Sequence, residues 1–394
     1  MNINQKNHSL GVARSVIREI FEYGNSRAAV VGRENVYDFS LGNPSVPSPA
    51  CIDETIARLV KEDTCAIHSY TSAQGAPATR KSIADNINAR FGETATMDDI
   101  YITCGAAASL TITLHAVCNQ GDRVIAFAPF FPEYKVFSEG AGAEFTIVPP
   151  SSDFQINFEE LEKVLDSKTK AVIINSPNNP SGAVLTEATI IRLANTLKEK
   201  SEQFGHPIYL ISDEPYRELV YDPSVKVPYV TRYYDNTFVC YSYSKSLSLP
   251  GERIGYIFVC NRMENNRDAY AAVCGAGRML GFVCAPSLMQ KVIAENQNAV
   301  ADLETYKLNR DLLYNALTEY GYDCIRPDGA FYLFVKSPEP DAKEFCKKAM
   351  ALDLLLVPSD SFGCEGYIRI SYCVSTDMIK RSLPLFKKLM DENY

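Results

Sequence analysis

From about residue 98 to residue 285 the chain alternates short apolar runs with longer stretches of helical period. The runs DIYITC, DRVIAFA, AVIIN, PIYLISD, TFVCYSY and YIFVC are several times almost continuously apolar, without the every-other-residue pattern of a strand with one wet face. Strands of that kind are covered on both faces, which is what crossover helices do for parallel strands. The segments between them, FEELEKVL and EATIIRLANTLKEKSEQF among them, carry the period of amphipathic helices. Alternation over roughly two hundred residues predicts an α/β domain with a mostly parallel central sheet.

After residue 285 the texture changes. SLMQKVIAENQNAVADLETYKLNRDLLYNALTEYG reads as one long helical run, followed by GAFYLFVK, CKKAMALDLLLVPS, YIRISYC and a closing amphipathic helix. This predicts a smaller α+β domain. The expected division is a large domain over 45–285 and a small one made of 1–44 with 286–394. A chain of 394 residues suffices for two such domains and buries a large core without disulfides or structural metals.

Charge and cysteine usage narrow the function. A net charge of −9 argues against a nucleic-acid partner, which needs a basic face. ITCGAAASLTITLHAVC carries no formal charge over seventeen residues, but its glycine, hydroxyls and histidine dilute it too far for a membrane span. It reads as a strand end, a glycine turn and a buried helix. The twelve cysteines are scattered singly with no C-x-x-C pair, so a zinc knuckle or redox dithiol is not expected. Reduced thiols and a cytoplasmic location are expected, and MNINQKNHSLG lacks a basic-then-apolar leader. The four histidines share no metal-ligand spacing, and GAGRMLG has its third glycine one place late for a dinucleotide loop.

Open parallel sheets bind ligands beyond the carboxyl ends of their strands. AVIIN runs into SPNNPSG, which holds Asn179, and PIYLIS runs into DEPY, which holds Asp213 and Tyr216. TFVCYSY ends at Ser242, followed by Ser244 and Lys245, with Arg253 eight positions further on. DIYITC ends at Gly105, opening a helix whose first N–H groups belong to Ala106 and Ala107. Such a helix start attracts phosphate through unpaired donors and the helix dipole. Singly, each feature has an ordinary reading as a Pro/Gly turn or a helix cap. Together they suit a phosphorylated pyridine aldehyde. The amine condenses with the aldehyde as a Schiff base, and the carboxylate pairs with the ring nitrogen. Phenol and amide bond the ring hydroxyl, while helix start, serine and arginine hold the phosphate. Lys245 must be neutral to act as a nucleophile, and desolvation with Arg253 nearby disfavours its ammonium form.

S-x-S-K followed by G-E-R-I-G, with NSPNNPSG and SDEPY upstream, resembles the fold-type-I, class I/II aminotransferases, and the resemblance runs from LGNPSVPSP to YIRISY. It implies pyridoxal 5′-phosphate as cofactor, Lys245 as the Schiff-base lysine and Asp213 as the partner of the pyridine nitrogen. Asn179 and Tyr216 would contact the ring hydroxyl. Ser242, Ser244, Arg253 and the Gly105–Ala106–Ala107 turn would surround the phosphate. Phe131 in APFFPEY matches the ring-stacking aromatic, with Phe130 beside it. Tyr70 matches a tyrosine that reaches the neighbouring subunit's phosphate, which implies a homodimer with shared sites. Arg369 matches the arginine that grips the substrate α-carboxylate, where Gly42 offers a backbone contact and Asn179 also lies. Ser181 in place of threonine and Thr79 before Arg80 depart mildly from the pattern. Arg278, a charge in apolar CGAGRMLGFVCAP, reads as an inter-subunit ion pair ahead of a contact to acidic substrate. The implied activity is ping-pong transfer of an amino group from an L-amino acid to a 2-oxo acid. The same architecture also hosts carbon–sulfur β-lyases and, more remotely, cofactor-sensing modules fused to DNA-binding domains. Acidity and the lack of a spare N-terminal region disfavour the last.

Overall fold

The computed structural model describes residues 2–13, 15–62 and 64–393, so Met1 and Arg14 of the 1–44 stretch lie outside the described residues. In chain order its strands are β1 (Tyr37–Asp38), β2 (Ile100–Thr103), β3 (Arg123–Phe127), β4 (Glu144–Val148), β5 (Thr169–Asn175), β6 (Tyr209–Asp213) and β7 (Thr237–Ser242). They continue with β8 (Gly255–Val259), β9 (Cys324–Ile325), β10 (Tyr332–Lys336), β11 (Leu354–Leu355), β12 (Val357–Pro358) and β13 (Tyr367–Ser371). Seven of them form one sheet in the order β2-β8-β7-β6-β5-β3-β4. All neighbours are parallel except β8, which runs antiparallel to both β2 and β7. Every residue of β2, β7 and β8 is buried, which explains their unbroken apolar sequences.

Register brings the functional ends to one edge. Asn175 pairs across from Asp213, while Ser242 and Thr103 both pair with Gly255. The helix following β2 spans Ala106–Val117, and the helix over Glu187–Phe204 covers EATIIRLANTLKEKSEQF in full. The sequence reading missed β4. EFTIV is an edge strand paired only with β3, so it stays half-wet and lacks the apolar signature of its neighbours. The run after residue 286 is two helices, Ser287–Glu295 and Leu303–Glu319. Asn296 ends the first by turning its side chain back to the Val292 carbonyl at 2.8 Å, and Asp302 starts the second by accepting from the Glu304 and Thr305 N–H groups.

The later strands build an antiparallel sheet, β12-β13-β10-β9, and β1 pairs in parallel with β11, which ties the N-terminal stretch to the C-terminal one. Its core gathers Tyr306, Phe331, Leu333, Phe345 and Phe386, and reaches Phe39 and Tyr216. The helix Ser287–Glu295 instead buries Met289, Val292 and Ile293 with Ile52, Ile83 and Phe258 beside the large sheet. Among the described residues no helix is long and apolar enough to cross a membrane, and no His/Cys/Asp/Glu group could hold a metal ion. None of the twelve cysteines forms a disulfide.

Candidate active site

A cavity of about 300 Å³ opens at the carboxyl edge of the large sheet, large enough for a small ring ligand. Of the residues singled out in the sequence, Gly42, Ala106, Ala107, Phe131, Asn179 and Asp213 line it, as do Tyr216, Ser242, Ser244, Lys245, Arg253 and Arg369. Gly105 sits just behind the wall at φ +87°, and an added Cβ there would lie 2.8 Å from Arg253 Nη2. Tyr70 stands apart from the cavity and is 95% exposed. Arg278 is also exposed.

The wall from β7 carries the amine. Ser242 caps the short helix Tyr243–Ser246, accepting from the Ser244 N–H at 3.2 Å, and its hydroxyl lies 2.8 Å from that of Ser244. That turn aims Lys245 into the cavity, where its amine donates to the Gly42 carbonyl at 2.6 Å. Burial, reinforced by the charges of Arg253 and Arg369, lowers the Lys245 amine from 10.5 to about 8.

Opposite, at the end of β6, Asp213 is buried. Its Oδ2 accepts from the Tyr134 hydroxyl at 2.5 Å, and its Oδ1 has no hydrogen-bond partner among the described residues. Burial raises this carboxyl to about 7, with the Tyr134 bond opposing and the Glu214 charge adding to the rise. A buried carboxylate oxygen without a donor is costly, so a ligand N–H aimed at it gains more than an ordinary hydrogen bond.

Two clusters of hydrogen-bond donors flank this pair. At one end lie the Ala106 and Ala107 N–H groups, the Ser242 and Ser244 hydroxyls and the Arg253 guanidinium. At the other, Arg369 on β13 is 2% exposed. Its Nη1 donates to Asn179 Oδ1 at 3.1 Å and its Nη2 to the Ser40 carbonyl, while Nε has no partner among the described residues. Burial lowers this guanidinium from its ordinary value. Tyr332 and Phe362 stack over it at 4.7 and 5.1 Å, and no described carboxylate pairs with it. Arg369 is therefore not spent on an internal ion pair; it is a buried cation with donors to spare for a carboxylate.

Phe131 faces the cavity, whereas the adjacent Phe130 packs into the core against Phe145 at 5.2 Å. The Tyr216 and Tyr332 hydroxyls meet at 2.9 Å. Tyr332, Tyr134 and Ile17 escaped the sequence reading. Tyr134 follows Phe131 at helical spacing in FFPEY, a signal that was present; Tyr332 and Ile17 looked like ordinary strand and helix residues.

A phosphorylated pyridine fits these residues: phosphate donors at one end, an orphaned carboxylate oxygen for a ring N–H, an aromatic wall and a weakly basic amine. Fold and cavity together define an α/β protein with a pocket suited to a small anionic ring beside a buried lysine. The family model for class I and II aminotransferases matches residues 34–383. A probable aspartate aminotransferase of Methanocaldococcus jannaschii is 29% identical over 385 residues, covering 96% of this chain and 97% of that one. A crystallised amino transferase from Eubacterium rectale is 55% identical with a TM-score of 0.97, covering 100% of both chains. The aspartate aminotransferase of Thermotoga maritima superposes with a TM-score of 0.87 at 26% identity, covering 99% of this chain and 100% of that one. The chain belongs to the class I and II aminotransferases. It has the fold-type-I architecture of that family and is a pyridoxal 5′-phosphate-dependent aminotransferase.

Proposed function

We propose that the enzyme moves an amino group from an L-amino acid to a 2-oxo acid in two half-reactions of ping-pong form, with Lys245, Asp213 and Tyr216 as its catalytic residues. The observation that carries this reading is the unpartnered Oδ1 of Asp213, buried in the same cavity as Lys245. When bound, the cofactor supplies an aldehyde carbon for amine exchange and a protonated ring that accepts the electron pair left at Cα. Asp213 would keep the ring nitrogen protonated. Asn179 and Tyr216 would bond the ring hydroxyl, and Phe131 would cover one ring face. Gly105, Ala106, Ala107, Ser242, Ser244 and Arg253 would hold the phosphate.

Arg369 would clamp the substrate α-carboxylate through its free donors and so fix the direction of the Cα–H bond. Released from the cofactor, the Lys245 amine would take the Cα proton and return it at the neighbouring carbon, a task suited to a base of pKa near 8. Its hydrogen bond to Gly42 gives the amine a resting place between strokes.

The proposal extends to organisation. The division at 44/45 and 285/286 would make two units, with the helix Ser287–Glu295, just past the second boundary, packed beside the large sheet. A homodimer would bring Tyr70 of one subunit to the other's phosphate; in support, Tyr70 is exposed together with Met279, Phe282 and Val283. Cysteines held as thiols, outside any disulfide, favour a cytoplasmic location. Single L-amino acids added to the cofactor-loaded protein should bleach its visible absorbance band and release the matching 2-oxo acid, and an added 2-oxo acid should restore the band. Release of pyruvate and ammonia from cysteine with no acceptor would point to a β-lyase.

A further inference from the structure

We propose that Tyr134 is a positioning residue of this reaction, holding Asp213 by one oxygen so that the other is reserved for the cofactor's ring nitrogen. The inference rests on the assignment of Asp213 as the ring's partner.

Tyr134 is the second residue of the helix Glu133–Gly140 and is 2% exposed. Its hydroxyl is the one donor to the Asp213 carboxylate among the described residues. A terminal carboxylate torsion is broad and two-fold, so an untethered Asp213 would exchange its oxygens and share its free lone pairs among several directions. The 2.5 Å bond to Oδ2 removes that freedom and leaves Oδ1 alone. The ring of Tyr134 also meets the edge of Phe131 at 5.7 Å and 83°, and its N–H donates to the Phe131 carbonyl at 3.0 Å. One side chain thus braces both the carboxylate and the aromatic wall.

The tether also acts on charge. Facing the carboxylate are Tyr134, Glu214 next along the chain, Tyr216, and Cys240, its register partner on β7. Lys245 and Arg369 share the cavity. Glu214 is occupied by the Ser212 hydroxyl and by Arg217, and the Cys240 thiol lies 3.6 Å from the Thr113 hydroxyl. Within this group the phenol pulls the carboxyl toward ionisation while burial and Glu214 oppose it. Burial and Asp213 itself hold the phenol protonated, so it remains a donor as the carboxyl titrates.

The test is a double-mutant cycle with two readouts: the dissociation constant of pyridoxal 5′-phosphate titrated into cofactor-stripped protein, and the pH profile of kcat. Tyr134→Phe should weaken cofactor binding about tenfold or more, lower kcat with little change in amino-acid KM, and move the acid limb of the profile upward. In the Asp213→Ala background the same change should cost less than about twofold, because no oxygen is left for the phenol to hold. Equal losses in both backgrounds, or unchanged affinity and acid limb in the single variant, overturn the proposal. If Tyr134→Phe does not fold, 3-fluorotyrosine placed at position 134 reads the same bond. Its more acidic phenol should move the acid limb downward, and an unmoved limb overturns the proposal. Should Asp213→Asn itself leave affinity and rate intact, the assignment of Asp213 fails; if Asp213→Asn is crippling and Tyr134→Phe silent, the tether alone fails.

Discussion

The Lys245 amine donates to the carbonyl of Gly42 at 2.6 Å, a contact across 203 positions of sequence. It joins the turn after β7 to the loop after β1, and so holds the amine between elements far apart in the chain. Gly42 is required there: a Cβ would come within 2.1 Å of the Tyr332 hydroxyl. The consequences of this burial can be measured.

The amine is neutral in the folded protein above about pH 8, against 10.5 when unperturbed. Between those values the unfolded chain binds more protons, so stability rises with pH across that window, and the cost of burying the charge is fully present at pH 7. Lys245→Met should therefore abolish turnover yet stabilise the cofactor-free protein at pH 7 by about 1–2 kcal/mol in denaturant titrations. Capture of the cofactor aldehyde by the wild-type protein, followed by stopped-flow absorbance, should accelerate with pH and level off above about pH 8.

Asp213 has the opposite sign. Its carboxyl, raised from 3.8 to about 7, keeps a proton in the folded protein that the unfolded chain has lost. Cofactor-free protein should lose stability as pH climbs through that window, and Asp213→Asn should flatten the dependence in thermal melts. The same variant should lower kcat by on the order of a hundredfold or more, because a neutral amide no longer favours a protonated ring. A wild-type rate in Asp213→Asn would sink its role as the ring's partner.

Arg369→Lys keeps the charge and loses the planar fork. The lost charged hydrogen bonds predict about 1.5–3 kcal/mol, or about 10- to 150-fold, in kcat/KM for the amino acid, while cofactor affinity stays near wild type. Steady-state kinetics beside a cofactor titration separates the two.

Gly105→Ala should act on the phosphate end. The backbone at φ +87°, ψ 175° is a glycine conformation, and the new methyl would press on Arg253. A stability loss of about 1–3 kcal/mol is expected from the backbone alone. Weakened binding of both pyridoxal 5′-phosphate and inorganic phosphate should accompany it, measured by equilibrium dialysis.

The α/β layering and the polar residues at the strand ends are legible in the residues alone. Buried parallel strands must be apolar throughout, and the residues that leave them must turn, cap or bind, so AVIIN–SPNNPSG, PIYLIS–DEPY and TFVCYSY–S–K were readable one after another. The edge strand β4 and the break at Asn296–Asp302 were less legible, because a half-wet strand and a side-chain-capped helix end carry weaker periodicity. Three features emerge only from the folded chain: which oxygen of Asp213 stays open, that Arg369 pairs with no carboxylate among the described residues, and that Tyr332 and Ile17 line the cavity while Tyr134 bonds Asp213. These depend on distances between elements far apart in the chain, set by sheet register and helix packing, and no local pattern of residues encodes such a distance.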